Sequence, residues 1–364
     1  MTDAQHRKSF AASRRSILKG LGAAAIGISL TGKTRRALAD EEKKLNFYNW
    51  DTYIGETTLQ DFKDASGIDV NMSLFATNDE LFAKLRAGNP GYDVIVPGSE
   101  FVERMIQANM LEPLDHAKIP NIKNISPEFI NDAPYDPGRK YSMPYTWLVI
   151  GIGYRKSKVK SVPDSWKYLF DSDEYKGRIA VMSDASELFR NCFKYLGKSI
   201  NDNSPELIKQ AEALLIKQKP NIKTFHEDNG QDLLASGEID VVMEYNGDIA
   251  QVMKEDDDLN FVVPKEGAMR QSDTLAIPKG APHPENALKF INFILDAKTG
   301  EEITKTILYP SPNAAAVALM PASYKDNPVI FPPADLMAKC EYPRYLGPEF
   351  TRLLDEAMTR LRAA

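Results

Sequence analysis

Leu45-Asn46-Phe47-Tyr48-Asn49-Trp50, Asp69-Val70-Asn71-Met72-Ser73-Leu74-Phe75 and Tyr92-Asp93-Val94-Ile95-Val96 are three short runs with strand character. Between the first two, Thr57 to Ala65 has helical spacing and Gly67 stands where the helix should stop. Between the second and third, Asn78 is placed to cap a helix over Asp79 to Ala87 that ends at Gly88. A further helix follows from Ser99 to Asn109. The order β-α-β-α-β predicts a parallel sheet with helices on its faces. Ligands of such sheets bind outside the carboxyl ends of the strands. Trp50-Asp51-Thr52-Tyr53 and Gly98-Ser99-Glu100 sit at two of those ends.

Outward from this unit, a Pro- and Asn-rich connection runs from Leu111 to Pro144. A strand-like segment from Thr146 to Tyr154 opens a second α/β region. It holds a strand at Ile179 to Met182, helices at Asp184 to Leu196 and Glu206 to Lys217, and a buried strand at Ile239 to Met243. Thr274 to Pro278 begins a late segment, and Pro284 to Leu295 reads as a helix. The acidic run Glu255 to Asp258 reads as a solvated loop. No repeat at a fixed period is present.

At the amino end, Ser13-Arg14-Arg15-Ser16-Ile17-Leu18-Lys19 precedes an uncharged run from Gly20 to Gly32. A paired arginine before a short apolar stretch is the address of twin-arginine export. The run has about a dozen residues, short of the roughly 20 that span a bilayer. Ala37-Leu38-Ala39 is a small-x-small cleavage site before Asp40. Residues 1–39 are therefore expected to be a twin-arginine signal peptide, leaving 325 of 364 residues to act in the periplasm. The leader's eight Lys or Arg against one Asp give it +7; the whole chain carries −6, so the mature chain carries −13. That balance argues against nucleic acid, which needs a basic face.

Local signatures of catalysis are missing: no Gly-x-Ser-x-Gly, no phosphate-binding glycine loop, no Cys-x-x-Cys. Neither metal-ligand spacing nor a cofactor motif is present. Cys192 and Cys340 read as two separate buried thiols, although an oxidising compartment permits a disulfide. What remains is aromatic and acidic side chains at predicted strand and loop ends. Trp50 and Tyr53 either close the core edge or offer flat faces to an alkyl chain or a cation. Asp184 and Glu187 have the spacing of a capping box, and equally present two carboxylates on one helix face. Asp273 precedes a strand at a candidate domain crossing and is either a turn residue or a charge in a cleft. Tyr245 precedes the Asn246-Gly247 turn. Tyr309 sits in the stiff Tyr309-Pro310-Ser311-Pro312-Asn313 segment. Together these features indicate an exported, acidic, two-lobed α/β protein without catalytic apparatus.

Several segments in order along the mature chain resemble the bacterial periplasmic spermidine/putrescine-binding proteins, the receptors of polyamine ABC importers. They are Tyr48-Asn49-Trp50 with Tyr53, Tyr92 to Pro97, Tyr141 to Tyr145, Pro264 to Gly267, Leu275 to Pro278 and Tyr309 to Asn313. The resemblance implies a two-lobed periplasmic-binding-protein fold of type II, with the ligand in the interlobe cleft. Lobe 1 would comprise 40–148 and 273–318, and lobe 2 would comprise 149–272 and 319–364. It implies that Trp50 and Tyr53 pack on the polyamine, that Asp184 and Glu187 hold one ammonium, and that Asp273 grips another. Tyr245 stands where the family often has Trp, and Tyr309 matches a site tyrosine. Asp51 is carried along in the same turn.

The chain also departs from the family pattern. Gln271 replaces a Trp, Pro343 stands where a Gln amide occurs, Thr52 replaces an acid, and Glu100 adds a carboxylate to the expected pocket. Arg270, if turned inward, would favour a ligand that bears a carboxylate. The expected ligand is putrescine or spermidine. An amino-acid-like amine such as 4-aminobutyrate, or an opine, is the alternative, and a periplasmic enzyme on the same scaffold is the different class. The expected partners are the inner-membrane permease subunits and the twin-arginine machinery. A monomer without cofactor or metal is expected.

Overall fold

The computed structural model describes residues 41–227 and 229–364; the expected signal peptide lies outside the described residues. Among the described residues the strands form one nine-stranded sheet. The first α/β unit is β1 (Lys44–Asn49), α1 (Thr58–Ser66), β2 (Asp69–Leu74), α2 (Asn78–Arg86), β3 (Val94–Ile95) and α3 (Ser99–Gln107). β1 pairs in parallel with β2 on one side and β3 on the other. Helix α1 stops at Gly67, which takes the left-handed conformation (φ 70°) that a side chain disfavours.

The second unit repeats this arrangement with β5 (Ile179–Met182), α4 (Ala185–Tyr195), α5 (Pro205–Gln218), β6 (Ile222–His226), β7 (Val241–Tyr245) and α6 (Asn246–Val252). β5 lies between β6 and β7 and is parallel to both. Each unit therefore has a central strand whose connections leave to opposite sides. That is a topological switch point, where the crevice outside the carboxyl ends is open to a ligand.

Two strands cross between the units. β4 (Ser142–Arg155) pairs through its first half with β9 (Arg270–Ala276) and through its second half with β7 and β8 (Leu259–Val262). β9 also contacts β3. β4 is buried along nearly its whole length, so it reads as a continuous apolar run rather than as an alternation. Gly151 and Gly153 are required within it. A Cβ on Gly153 would lie 2.6 Å from Ile249 Cδ1, and one on Gly151 would lie 2.6 Å from the Val262 carbonyl oxygen.

The buried apolar residues divide in the same way. One core surrounds Val181, Phe189, Phe193 and Val242 and takes in Phe350 and Leu354 of the final helix, Pro348–Ala363. A second contains Phe47, Phe62, Phe290 and Ile291, and a third contains Tyr48, Leu81, Phe82 and Val102. Cys192 and Cys340 are both buried and free, as the separate-thiol reading expected.

Two expectations need correction, and the orientation of Arg270, left open above, is decided. Thr77, not Asn78, caps α2 by accepting from the Glu80 N–H. Asn78 Oδ1 instead accepts from the Gly98 N–H at 3.0 Å, fixing the loop after β3. The acidic run is not merely solvated: Asp256 and Asp258 hold Arg155 at 2.9 and 3.1 Å. Arg270 does not turn inward. Its guanidinium pairs with Asp132 at 2.9 Å and lies over the Tyr342 ring.

Candidate functional site

The carboxyl ends of β1, β3, β5 and β7 converge with β9 on one set of side chains. Tyr53, in the turn after β1, donates its hydroxyl to Asp273 Oδ2 at 2.8 Å. The same hydroxyl meets Thr146 Oγ1 of β4, and Tyr145 Oη donates to the Tyr53 carbonyl at 2.7 Å. Asp273 is 7% exposed. Burial raises its carboxyl from the ordinary 3.8 to about 6, against the hydrogen bonds from Tyr53 and Thr146, which lower it. Near neutral pH it is mostly ionised, but at a cost that an ammonium would relieve.

Gly98 faces Asp273 across an isolated antiparallel bridge. A Cβ there would lie 3.2 Å from Gln271 Oε1 and 3.5 Å from Asp273 Oδ1, so glycine is what lets the loop approach. Gln271 Nε2 donates at 3.0 Å to Glu187 Oε1, which also accepts from the Tyr245 hydroxyl. Asp184 caps α4 by accepting from the Glu187 N–H at 2.9 Å. The capping expectation thus holds for Asp184, whereas Glu187 Oε1 is directed at Tyr245 and Gln271.

A third tyrosine–carboxylate contact completes the set. Tyr309 donates to Asp248 Oδ1 at 2.6 Å, and its ring meets Tyr53 edge-on at 5.2 Å. Gly247 makes this possible, because a Cβ there would come within 2.6 Å of the Tyr309 ring. The sequence reading missed Asp248. The signal was available: Tyr245 and Asp248 open a helix after a strand with the same three-residue offset as Asp184 and Glu187. It also missed Thr146, which the strand pattern presents only as part of an apolar run.

Burial raises Tyr53, Tyr245 and Tyr309 well above their ordinary value, and the neighbouring carboxylates Asp273, Glu187 and Asp248 push each further in that direction. The three hydroxyls therefore stay protonated and act as donors to the three carboxylates. Trp50, directly after β1, donates its indole N–H to the Val96 carbonyl at 2.9 Å and tilts its ring against Phe75.

Two expected residues are placed differently. Asp51 is exposed and accepts from the Thr52 N–H at 2.9 Å. Glu100 is ion-paired with Arg190 at 3.0 Å. Tyr53, Tyr245, Gln271, Asp273 and Tyr309 come together with Glu187, and Asp184 stands at the amino end of the same helix as Glu187.

A row of carboxylates and aromatic rings between two α/β units, each with a switch point, defines a two-lobed solute receptor. The bacterial extracellular solute-binding protein family matches residues 57–332, and the chain belongs to that family. The putrescine-binding periplasmic protein of Escherichia coli K12 is 34% identical, covering 95% of this chain and 97% of its own. The putrescine-binding periplasmic protein of Pseudomonas aeruginosa is 33% identical over 94% and 98%. The crystal structure of the spermidine/putrescine ABC transporter substrate-binding protein of Streptococcus pneumoniae superposes with a TM-score of 0.80 at 29% identity, covering 88% of this chain and 99% of that one. The first two are named for putrescine binding in the periplasm, and the third as the substrate-binding protein of an ABC transporter.

Proposed function

We propose that this protein is the periplasmic receptor of an ABC importer and binds a polyamine, putrescine or spermidine, between its lobes. The observation that carries this reading is the set of three tyrosine–carboxylate contacts, Tyr53 with Asp273, Tyr245 with Glu187 and Tyr309 with Asp248. A polyamine is a methylene chain carrying ammonium groups. The carboxylates supply charge-assisted hydrogen bonds to the ammonium groups, and the tyrosine and Trp50 faces cover the methylenes and attract cations. Asp184 adds negative charge at the Glu187 end. Stripping water from an ammonium is costly unless it is paired, so the acids are required and not merely helpful. The protein returns its ligand unchanged to the permease subunits and acts as a monomer, without cofactor or metal.

The placement of the arginines favours a polyamine over 4-aminobutyrate or an opine. Arg270 is held by Asp132 and Arg190 by Glu100, so neither faces the site to receive a ligand carboxylate. The lobes divide near Leu148 and Asp273 on the crossing strands. Export uses residues 1–39 as a twin-arginine signal, and amino-terminal sequencing of the periplasmic form should begin at Asp40.

The test is a thermal-shift screen of the chain from Asp40 against putrescine, spermidine, cadaverine, agmatine, 4-aminobutyrate and common amino acids. Ligand at about 100-fold over its Kd stabilises the fold by about 2.7 kcal/mol, a shift of several degrees. Shifts with diamines or triamines alone are expected. A shift with zwitterions alone, or with no amine at all, would overturn the polyamine reading.

A further inference from the structure

Glu100 and Glu103 occupy the first turns of α3 in the first lobe, and both reach across to arginines of the second. Arg190, on α4 three residues after Glu187, is completely buried, while the Glu100 side chain is 16% exposed. Arg190 Nη2 donates to Glu100 Oε1 and to the Arg344 carbonyl, both at 3.0 Å. Its remaining donors stay within the second lobe. Nε goes to Ser186 Oγ at 2.8 Å, and Nη1 goes to the Ile200 carbonyl and to Asn201 Oδ1. Glu103 takes Arg344 in a two-pronged contact (2.7 Å from Nη2 and 3.0 Å from Nε) and also accepts from the Tyr345 N–H at 2.9 Å.

The segment from Glu341 to Tyr345 is itself tied to the second lobe. Lys194 pairs with Glu341 at 2.7 Å, Asn201 Nδ2 donates to the Tyr342 carbonyl, and Asn201 Oδ1 accepts from the Arg344 N–H. Of its two tyrosines, Tyr342 packs against Tyr135 and Tyr345 lies under the Arg104 guanidinium, both partners belonging to the first lobe.

We propose that Glu100 and Glu103, closing on Arg190 and Arg344, form a charged clasp that holds the cleft shut and sets how long a bound ligand stays. Glu100 is thereby a positioning residue and not a ligand contact. The physical reason lies in pre-organisation. Ser186, Ile200 and Asn201 fix the Arg190 guanidinium without help from the first lobe, so it waits in the geometry that Glu100 meets on closure. For Arg344 only the main chain is held beforehand, by its N–H bond to Asn201 Oδ1, and the guanidinium is placed by Glu103 itself. The two-pronged Glu103–Arg344 contact is directional, so it forms at one closure angle and contributes nothing when the lobes part. Glu100 sits in the first turn of α3, where the helix dipole favours negative charge in either state. Opening rehydrates Glu100 and Glu103, which limits the net gain and keeps the clasp reversible.

The dwell-time part rests on the polyamine reading, so the experiment carries one arm with ligand and one without. In the ligand-free arm, small-angle scattering compares the wild type with Glu100→Gln and Glu103→Gln. Both variants are expected to populate a larger radius of gyration. In the ligand arm, stopped-flow dissociation of putrescine should be about tenfold faster in each variant, with the association rate nearly unchanged. Glu103→Arg alone should behave like the Gln variants, and the swap Glu103→Arg with Arg344→Glu should recover part of the slow dissociation. A purely structural role would not produce that rescue.

Unchanged scattering together with unchanged dissociation would overturn the clasp. Faster dissociation with a slowed association to match would place Glu100 among the ligand contacts and overturn the positioning role. If the wild type fails to bind putrescine at all, the polyamine reading falls, and the scattering arm still decides the clasp.

Discussion

Asp273 is the residue on which charge and function meet most directly. Its carboxyl is raised from 3.8 to about 6 by burial, so in the empty protein the neutral form is favoured relative to the unfolded chain. The stabilising contribution of that neutral form is fully present below about pH 3.8 and is lost as pH rises through about 6. Asp273→Asn should therefore raise the melting temperature of the empty protein at pH 7.5 and leave it almost unchanged at pH 4. The same substitution should weaken putrescine binding roughly 100-fold, the cost of a buried ammonium that has lost its partner. Binding needs the ionised carboxylate, so wild-type affinity should fall as pH drops through 6, with a proton released on binding near that pH. Calorimetry in two buffers of different ionisation heat measures this release. Equal heats at pH 6 would remove Asp273 from the amine contacts.

At the scale of the element, helix α4 separates two jobs that sequence spacing alone left entangled. Asp184 accepts from the Glu187 N–H, whereas Glu187 Oε1 faces Tyr245 and Gln271. Asp184→Ala should cost about 1 kcal/mol of stability, as loss of an N-cap does. Glu187→Gln should leave the melting temperature within a degree or two and weaken ligand binding by tenfold or more. Thermal melts and calorimetry on the two variants check both, and a large loss of stability in Glu187→Gln would return that residue to a capping role. Most elements were legible in the sequence because their periodicity and stop signals agree, as with α1 and Gly67. The site was legible only at strand and helix ends. Asp248 was hidden because one acid after an Asn-Gly pair looks like turn chemistry, and the bond that gives it meaning comes from Tyr309, 61 residues away. Glu100 was read as a pocket residue because its partner, Arg190, lies on an element whose approach only tertiary packing decides.

For the whole molecule, β4 and β9 are the strands through which the two lobes share one sheet. Tyr53 belongs with the core around Phe47 and Phe290, next to Thr146 and Asp273 on the crossing strands, and Glu187, Tyr245 and Asp248 project from the helix and strand ends of the second α/β unit. A ligand held by both groups is lost if either lobe unfolds. Binding should therefore stabilise both lobes by the same amount, although their cores do not merge. In the empty protein each lobe can open with its own free energy, as cooperative units of a fold commonly do. At about 100-fold over the Kd, putrescine should raise both opening free energies by about 2.7 kcal/mol, which slows exchange of globally protected amides roughly 100-fold. Phe47 in β1 and Val181 in β5, each fully buried in its own core, report on the two lobes separately. Hydrogen exchange should show the same slowing at both positions. Slowing at Val181 alone would mean that the ligand is held by Glu187, Tyr245 and Asp248 without Asp273. The site would then lie within one lobe, and the cleft would not be where the solute binds.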